Sequence, residues 1–338
     1  MKTVQLINSK LEIKEIPFFD DNFNHKGAIV KVLGCGLCGS DIVKIKHTSS
    51  ATNSTIGHEV VGKIVNLNSD VTNFKINDIV VVAHHVPCFE CIYCKHQNYS
   101  MCKEFKKSNI VPGGFSEYIY VSEAHLKNTV FSKPKNLTLA EASFMEPLAC
   151  CVRAIKRADL ISNDRVLVIG LGSIGYIMSQ ALNSYNMNVI GVDLIEQRLK
   201  NLENLNINNL LFENDDLTAG KIKQMTEGYG VDCVFMTSGA KSALDFALKS
   251  VRDGGKIVVF SSINDDAIGY ANNQIYYREL TILGSYSPSP IELKEALCLL
   301  ENKKVKVEGL SKEYNIDNIN QAVCDTIDNK IMKAFIKI

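Results

Sequence analysis

The chain has 338 residues, with 37 basic and 37 acidic side chains and a formal net charge of +0 at pH 7. That length accommodates two domains with separate cores. The charge balance provides no field to draw the protein to nucleic acid or an anionic membrane. The amino terminus, MKTVQLINSKLEIKEIPFFDD, has scattered charges in place of an apolar export segment, and no later run has the length needed to span a bilayer, so a cytoplasmic protein is expected.

Up to residue 130 the sequence consists of short apolar segments, at 28–33, 60–67, 79–83 and 117–121, punctuated by Gly, Asn and Pro, which predicts β structure. From 164 to about 284 the pattern changes to apolar strands (RVLVIG, NVIGVD, VDCVFMTS, GKIVVFSS, LTILGS) alternating with amphipathic stretches at 173–185, 196–205 and 241–251. Such alternation predicts βαβ units and a doubly wound parallel sheet. A helix is expected at 290–301 and a closing strand at 333–338.

Gly170, Gly172 and Gly175 form G-x-G-x-x-G between the strand 166–169 and a helix starting near Ser173. With Ser173 and Ile174 they are candidate pyrophosphate binders. The first glycine permits the turn, the second lets amides approach the anion, and the third lets helix and strand pack closely. Asp193 closes the next strand, where a carboxylate accepts hydrogen bonds from the adenosine ribose and repels a 2′-phosphate, so NAD is expected over NADP. Arg198 is a second cofactor candidate, able to pair with a phosphate, with a solvated helix arginine as the alternative.

Four of the eleven cysteines, Cys88, Cys91, Cys94 and Cys102, fall in one short segment with the spacing C-x2-C-x2-C-x7-C. Four thiolates so close together can enclose a tetrahedral zinc and leave no open position, which makes the expected role structural. Disulfides or free thiols are the alternative, weakened by the odd cysteine total and a reducing compartment. A second set comprises GCGLCGSD (34–41), GHEVVG (57–62) and FMEPLACC (144–151). Cys38 and His58 with an acid form a mixed S, N, O set, which leaves a position open for a substrate oxygen, as a catalytic zinc requires.

With these motifs in this order, the sequence resembles the zinc-containing medium-chain dehydrogenases, and within them the sorbitol, threonine and polyol branch, over nearly the whole chain. The resemblance implies a GroES-like β catalytic domain at 1–147 and 286–338, carrying the zinc lobe at 86–104, and a Rossmann domain at 148–285. It makes Cys38 and His58 zinc ligands, with Glu59 a further ligand or close neighbour and Glu146 an acid near the metal, exchangeable or acting through water. Ser40 matches the family hydroxyl that hydrogen-bonds the substrate oxygen and helps remove its proton. Asp41 and Glu59 are alternatively supports for the ligands. One catalytic and one structural zinc per chain, NAD, and a small alcohol or ketone substrate are implied, as is a homodimer or homotetramer paired through the strand near 281–284.

The sequence departs from its relatives at several positions. Val43 stands where the family often has a relay histidine. His85, three residues before Cys88, resembles a histidine near the active site of threonine dehydrogenases and is placed to line the site or join a relay; His84 is the weaker candidate, and both have core or surface alternatives. Lys44 falls where sorbitol dehydrogenases carry an aromatic contact. A cation there would bind a phosphate or carboxylate, with a solvated lysine as the alternative, so a phosphorylated polyol or a threonine-like hydroxy compound is the subsidiary substrate class. Ser285, Tyr286 and Ser287 occupy the position of a sorbitol-contacting arginine and aromatic. A catalytically inactive nucleotide-binding sensor of the same fold is the competing function, and a zinc-free quinone reductase would lack both metal sets. In thermal-shift titrations NAD should raise the melting temperature at concentrations where NADP does not. Equal stabilisation by the two would remove Asp193 from that role.

Overall fold

The computed structural model describes residues 1–18, 25–47, 54–70, 74–205, 207–239, 242–261 and 272–338. Contacts divide the chain into two compact units, one of Met1–Ala149, Pro288–Lys303 and Val307–Ile338, the other of Cys150–Ser287 and Lys304–Lys306. The short segment Lys304–Lys306 groups with the second unit because the Gln180 side-chain amide bonds both to the Lys306 carbonyl, at 3.0 Å, and to the Lys306 N–H, at 2.8 Å.

The second unit is built on six strands in the order Asn208–Leu211, Asn188–Asp193, Arg165–Ile169, Val231–Met236, Val251–Val259, Thr281–Gly284. Every neighbouring pair is parallel. The central strands are buried almost throughout, which explains their unbroken apolar runs. The strand order reverses between Arg165–Ile169 and Val231–Met236, so a crevice opens at their carboxyl ends. Helices Ser173–Ser184 and Glu196–Glu203 occupy the expected stretches, and Ser242–Ser250 covers the third except residue 241, which lies outside the described residues, and Val251, which opens the next strand. The strand Val251–Val259 starts several residues ahead of the apolar run GKIVVFSS.

The first unit contains a seven-stranded sheet ordered Ser311–Asn315, Lys333–Lys337, Gly27–Gly36, Glu59–Asn68, Ile79–Val82, Val130–Ser132, with Tyr118–Ser122 also paired to Gly27–Gly36. A smaller sheet joins Lys10–Glu15, Lys2–Ile7 and Ser54–Thr55. Only the pairing of Ser311–Asn315 with Lys333–Lys337 is parallel. Among the described residues no helix is long and apolar enough to cross a membrane.

Gly34 and Gly36 read in sequence as strand breakers, yet the strand Gly27–Gly36 runs through them. Both glycines are needed for what lies against them. A Cβ at Gly34 would overlap the Phe335 ring, and one at Gly36 would overlap the Glu59 carboxylate. The last strand therefore packs its aromatic residue on bare backbone, with Phe335 opposite Gly36 and Lys337 opposite Gly34 in register. Phe335 is 1% exposed. Its replacement by Ala should cost roughly 3–5 kcal/mol, read as a lower urea midpoint at unchanged m-value.

Candidate active site, metal centre and nucleotide loop

The turn at the end of the strand Gly27–Gly36 delivers Cys38, and the helix Gly39–His47 begins immediately after it. Asp41, in the first turn of that helix, is fully buried. Its Oδ2 accepts from the Cys38 N–H at 3.2 Å and its Oδ1 from the Gly57 N–H at 3.4 Å. The same Oδ1 is 3.6 Å from His58 Nδ1. One carboxylate thus holds the two chain segments that carry Cys38 and His58 and engages Nδ1, leaving Nε2 as the nitrogen free for a metal. Burial pushes the Asp41 carboxyl up, but the facing His58 outweighs it and the net shift is down. For His58 burial acts downward and is outweighed by the charges of Asp41 and Cys38, which hold the imidazole well above its usual value.

Glu59 opens the next strand, opposite Gly36. Donor atoms of Cys38, His58 and Glu59 all lie within 4.8 Å of one another. Lys333, in the carboxyl-terminal strand, places its Nζ 2.6 Å from Glu59 Oε1. Glu59 Oε2 is buried with no hydrogen-bond partner among the described residues. Lys333 was missed in the sequence, where it is one of two lysines that bracket the short apolar run of the last strand. Burial alone would lower its ammonium pKa, and the charges of Glu59, Cys38 and Glu146 raise it instead.

Glu146 is buried in the first turn of the helix Met145–Ala158 and is not a member of the 4.8 Å group. Ser40 is exposed at the start of the helix Gly39–His47. Val43 and Lys44 are exposed on the same helix, and the Lys44 charge reaches Asp41 and His84. Of the paired histidines it is His84, the weaker candidate in sequence, whose ring lies against His58, with centroids 4.7 Å apart. His85 stacks behind it, 3.8 Å from His84 and 4.8 Å from Phe105. His125 Nε2 contacts the His84 carbonyl at 3.0 Å and so fixes the backbone of the pair.

The four lobe cysteines converge, with Sγ separations of 3.9 Å for Cys88–Cys94, 3.6 Å for Cys91–Cys94 and 3.5 Å for Cys88–Cys102. A tetrahedron with Zn–S of about 2.3 Å has edges of about 3.8 Å, whereas a disulfide would bring sulfurs to about 2.0 Å. Backbone N–H groups point at these sulfurs, Cys91 N to Cys88 Sγ and Cys88 N to Cys102 Sγ, each at 3.4 Å. Burial pushes the Cys102 thiol up, but hydrogen bonds from the backbone of Cys88, Phe105 and Glu104 and from the Cys88 side chain outweigh it and pull the thiol down to about 6. The donor set therefore fits a closed S4 zinc site.

In the second unit Gly170 leaves its strand with φ of +90°, and a Cβ at Gly175 would overlap the Gly170 carbonyl. Gly172 has φ of −61° and nothing within 4 Å of where a Cβ would stand, so the protein's own packing does not require glycine there. An approaching phosphate does. Gly172 caps the helix Ser173–Ser184 without a side-chain bond, which leaves the amides at Ser173 and Ile174 open. Asp193 Oδ2 accepts from Leu171 N–H at 2.6 Å and Oδ1 from Ile195 N–H at 2.8 Å. Arg198 Nη1 is 3.2 Å from Asp193 Oδ2, so this arginine is paired with the candidate ribose acid and is not the solvated side chain that sequence alone favoured.

One pH effect follows from these histidines. Burial holds His85 down to about 4, its contact with the Ser108 carbonyl acting the other way. Between about pH 4 and 6.5 the unfolded chain binds this proton and the folded chain does not, so stability rises with pH across that window and is lost on acidification. The effect is on the order of 2 kcal/mol after allowing for solvent screening. His85→Gln should flatten the rise in urea midpoint between pH 4.5 and 7 relative to the unmodified protein, whereas parallel profiles would remove His85 as its source.

Known proteins match this chain along its length. Residues 24–132 match the alcohol dehydrogenase GroES-like domain, and residues 173–302 match the zinc-binding dehydrogenase domain. A sorbitol dehydrogenase of Halalkalibacterium halodurans is 30% identical over 87% of this chain and 86% of its own. A D-arabitol-phosphate dehydrogenase of Enterococcus avium is 27% identical over 91% of this chain and 89% of its own. The structure of galactitol-1-phosphate dehydrogenase from Escherichia coli covers 100% of both chains with a TM-score of 0.86 at 24% identity. An oxidoreductase that uses zinc and a nicotinamide cofactor on small alcohols accounts for both sets of matches, and the chain belongs to the zinc-dependent medium-chain polyol dehydrogenase family.

Proposed function

We propose that this dehydrogenase oxidises a secondary alcohol of the polyol class with NAD, or reduces the matching ketone. In this reading Cys38, His58 and Glu59 hold a catalytic zinc, and Cys88, Cys91, Cys94 and Cys102 a structural one. The observation that carries it is the buried Glu59 carboxylate: one of its oxygens lies within 4.8 Å of Cys38 Sγ and a His58 ring nitrogen, and its Oε2 has no hydrogen-bond partner among the described residues. A buried carboxylate oxygen without a donor is costly, and a divalent cation removes that cost. When bound, zinc polarises the substrate oxygen and the nicotinamide accepts hydride.

The chain's own groups divide the remaining work. Ser40, exposed beside Cys38, hydrogen-bonds the substrate oxygen and takes its proton while passing its own hydroxyl proton to the solvent that reaches it. Glu146 supplies a second acid near Lys333. His85 acts as a neutral wall of the site rather than a relay, because its Nδ1 is engaged by Ser108 and burial keeps it uncharged near neutral pH. NAD is favoured over NADP because Asp193 is held by two amides at the end of its strand and Arg198 is already occupied by it. The edge strand Thr281–Gly284, with Ile282 exposed, favours pairing of two copies into a dimer.

A polyol phosphate is the second reading of the substrate. Lys44 stands exposed on the helix that carries Ser40, and a D-arabitol-phosphate dehydrogenase is among the relatives. Metal analysis by mass spectrometry on protein purified without added zinc tests the whole reading. About two zinc ions per chain are expected, one lost in Cys38→Ser and the other in Cys91→Ser. Polyols and polyol phosphates screened for NADH formation then separate the substrate classes. A single zinc, lost only with Cys91, would favour the nucleotide-binding sensor instead.

A further inference from the structure

Lys333 belongs to none of the sequence motifs, yet it is in direct contact with the acid of the S, N, O group. It is 4% exposed, its Nζ lies 2.6 Å from Glu59 Oε1, and it stands 5.7 Å from the centroid of the Phe144 ring. A buried ammonium at that distance from a carboxylate takes one oxygen out of use. The other oxygen, Oε2, has no hydrogen-bond partner among the described residues and lies close enough to Gly36 to overlap a Cβ placed there. The carboxylate is thus gripped on one side by a lysine and admitted on the other by a missing side chain.

Both restraints come from the sheet. Glu59 is opposite Gly36 in one antiparallel register, and Phe335 is opposite Gly36 in the other. Gly36 is flanked by the two strands that carry the acid and the lysine, and Lys333 begins its strand two residues before Phe335. A carboxylate can bind a metal through one oxygen or chelate it through both. Here the second mode requires Glu59 to break a buried ion pair.

We propose that Lys333 is a positioning residue that holds Glu59 to one-oxygen coordination of the catalytic metal, with Gly36 providing the space in which Oε2 is presented. This rests on the reading of Cys38, His58 and Glu59 as the metal site. Lys333 acts through Glu59 and touches neither substrate nor cofactor in this role. It explains why a lysine is buried where an apolar residue would complete the strand.

Cobalt-substituted protein tests the proposal, because visible d–d bands report coordination number independently of turnover. The site's own bands are taken as the difference between unmodified protein and Cys38→Ser, which cancels the cysteine lobe. If that difference is blank, the metal reading of Cys38, His58 and Glu59 fails and takes the proposal with it. If bands are present, Lys333→Met should weaken and shift them as the second oxygen joins the metal. Lys333→Arg, which keeps the charge and the reach, should restore them, and Gly36→Ala should abolish them with the lobe bands intact. Bands in Lys333→Met that superimpose on those of the unmodified protein overturn the proposal.

Should Lys333→Met not fold, the unmodified protein still decides. In the infrared difference between zinc-loaded and metal-free protein, the wide splitting of a one-oxygen carboxylate is expected, assigned to Glu59 by its loss in Glu59→Gln. The narrow splitting of a chelating carboxylate overturns the proposal.

Discussion

The buried ion pair between Lys333 and Glu59 is the constraint on which the arrangement of the first unit depends. The two partners are 274 positions apart in the chain, and the pair forms only if the carboxyl-terminal strand adds to the edge of a strand laid down near the amino terminus. Such a pair contributes little net stability, since desolvating both charges offsets their attraction. Its contribution is to specificity: shifting the last strand by one residue would turn Lys333 to the opposite face and leave Glu59 as an unpaired buried anion. Gly34 and Gly36 reinforce the register, because only bare backbone admits the Phe335 ring and the Glu59 carboxylate.

Around this pair the charges form a short alternating series. Asp41 faces His58, His58 and Cys38 share their neighbourhood with Glu59, and Glu59 faces Lys333. The series places opposite charges next to one another in a region with almost no solvent, where an uncompensated member would be costly. Asp41 also hydrogen-bonds backbone on both sides, so the positions of Cys38 and His58 are coupled through a carboxylate that binds no metal itself. The cysteine lobe is constructed on a different principle. Its four sulfurs converge within one short segment, where backbone N–H groups donate to the sulfurs of Cys88 and Cys102. A set of four sulfurs would close a zinc coordination sphere and a mixed S, N, O set would leave one open, so donor chemistry separates the two proposed centres.

The nucleotide loop follows a third logic, in which the fold creates a site by what it leaves out. Gly175 is required by helix packing, and Gly172 by nothing in the protein itself. The helix beginning at Ser173 lacks a side-chain cap, so its first amides remain available to an anion. Asp193 is held by the loop amides and by Arg198, at the carboxyl end of the strand that neighbours Arg165–Ile169.

Local chemistry was legible from the residues alone. The glycine turn, the four-cysteine spacing, the acid ending the second parallel strand and the alternation of strand and helix each depend on neighbours within about 25 residues, a range over which sequence spacing and geometry are the same thing. The extents of the glycine-containing strands were not legible, because Gly34 and Gly36 signal a break unless one knows what packs on them. Nor was the order of the histidines, since which of two adjacent rings faces His58 is decided by the His125 contact from a separate helix. Arg198 looked solvated because its pairing with Asp193 requires the turn between strand and helix to fold back. Lys333 lay beyond any reading of the sequence, because a lysine acquires meaning only from the carboxylate it meets, and here that meeting is made by strand pairing across nearly the whole length of the chain.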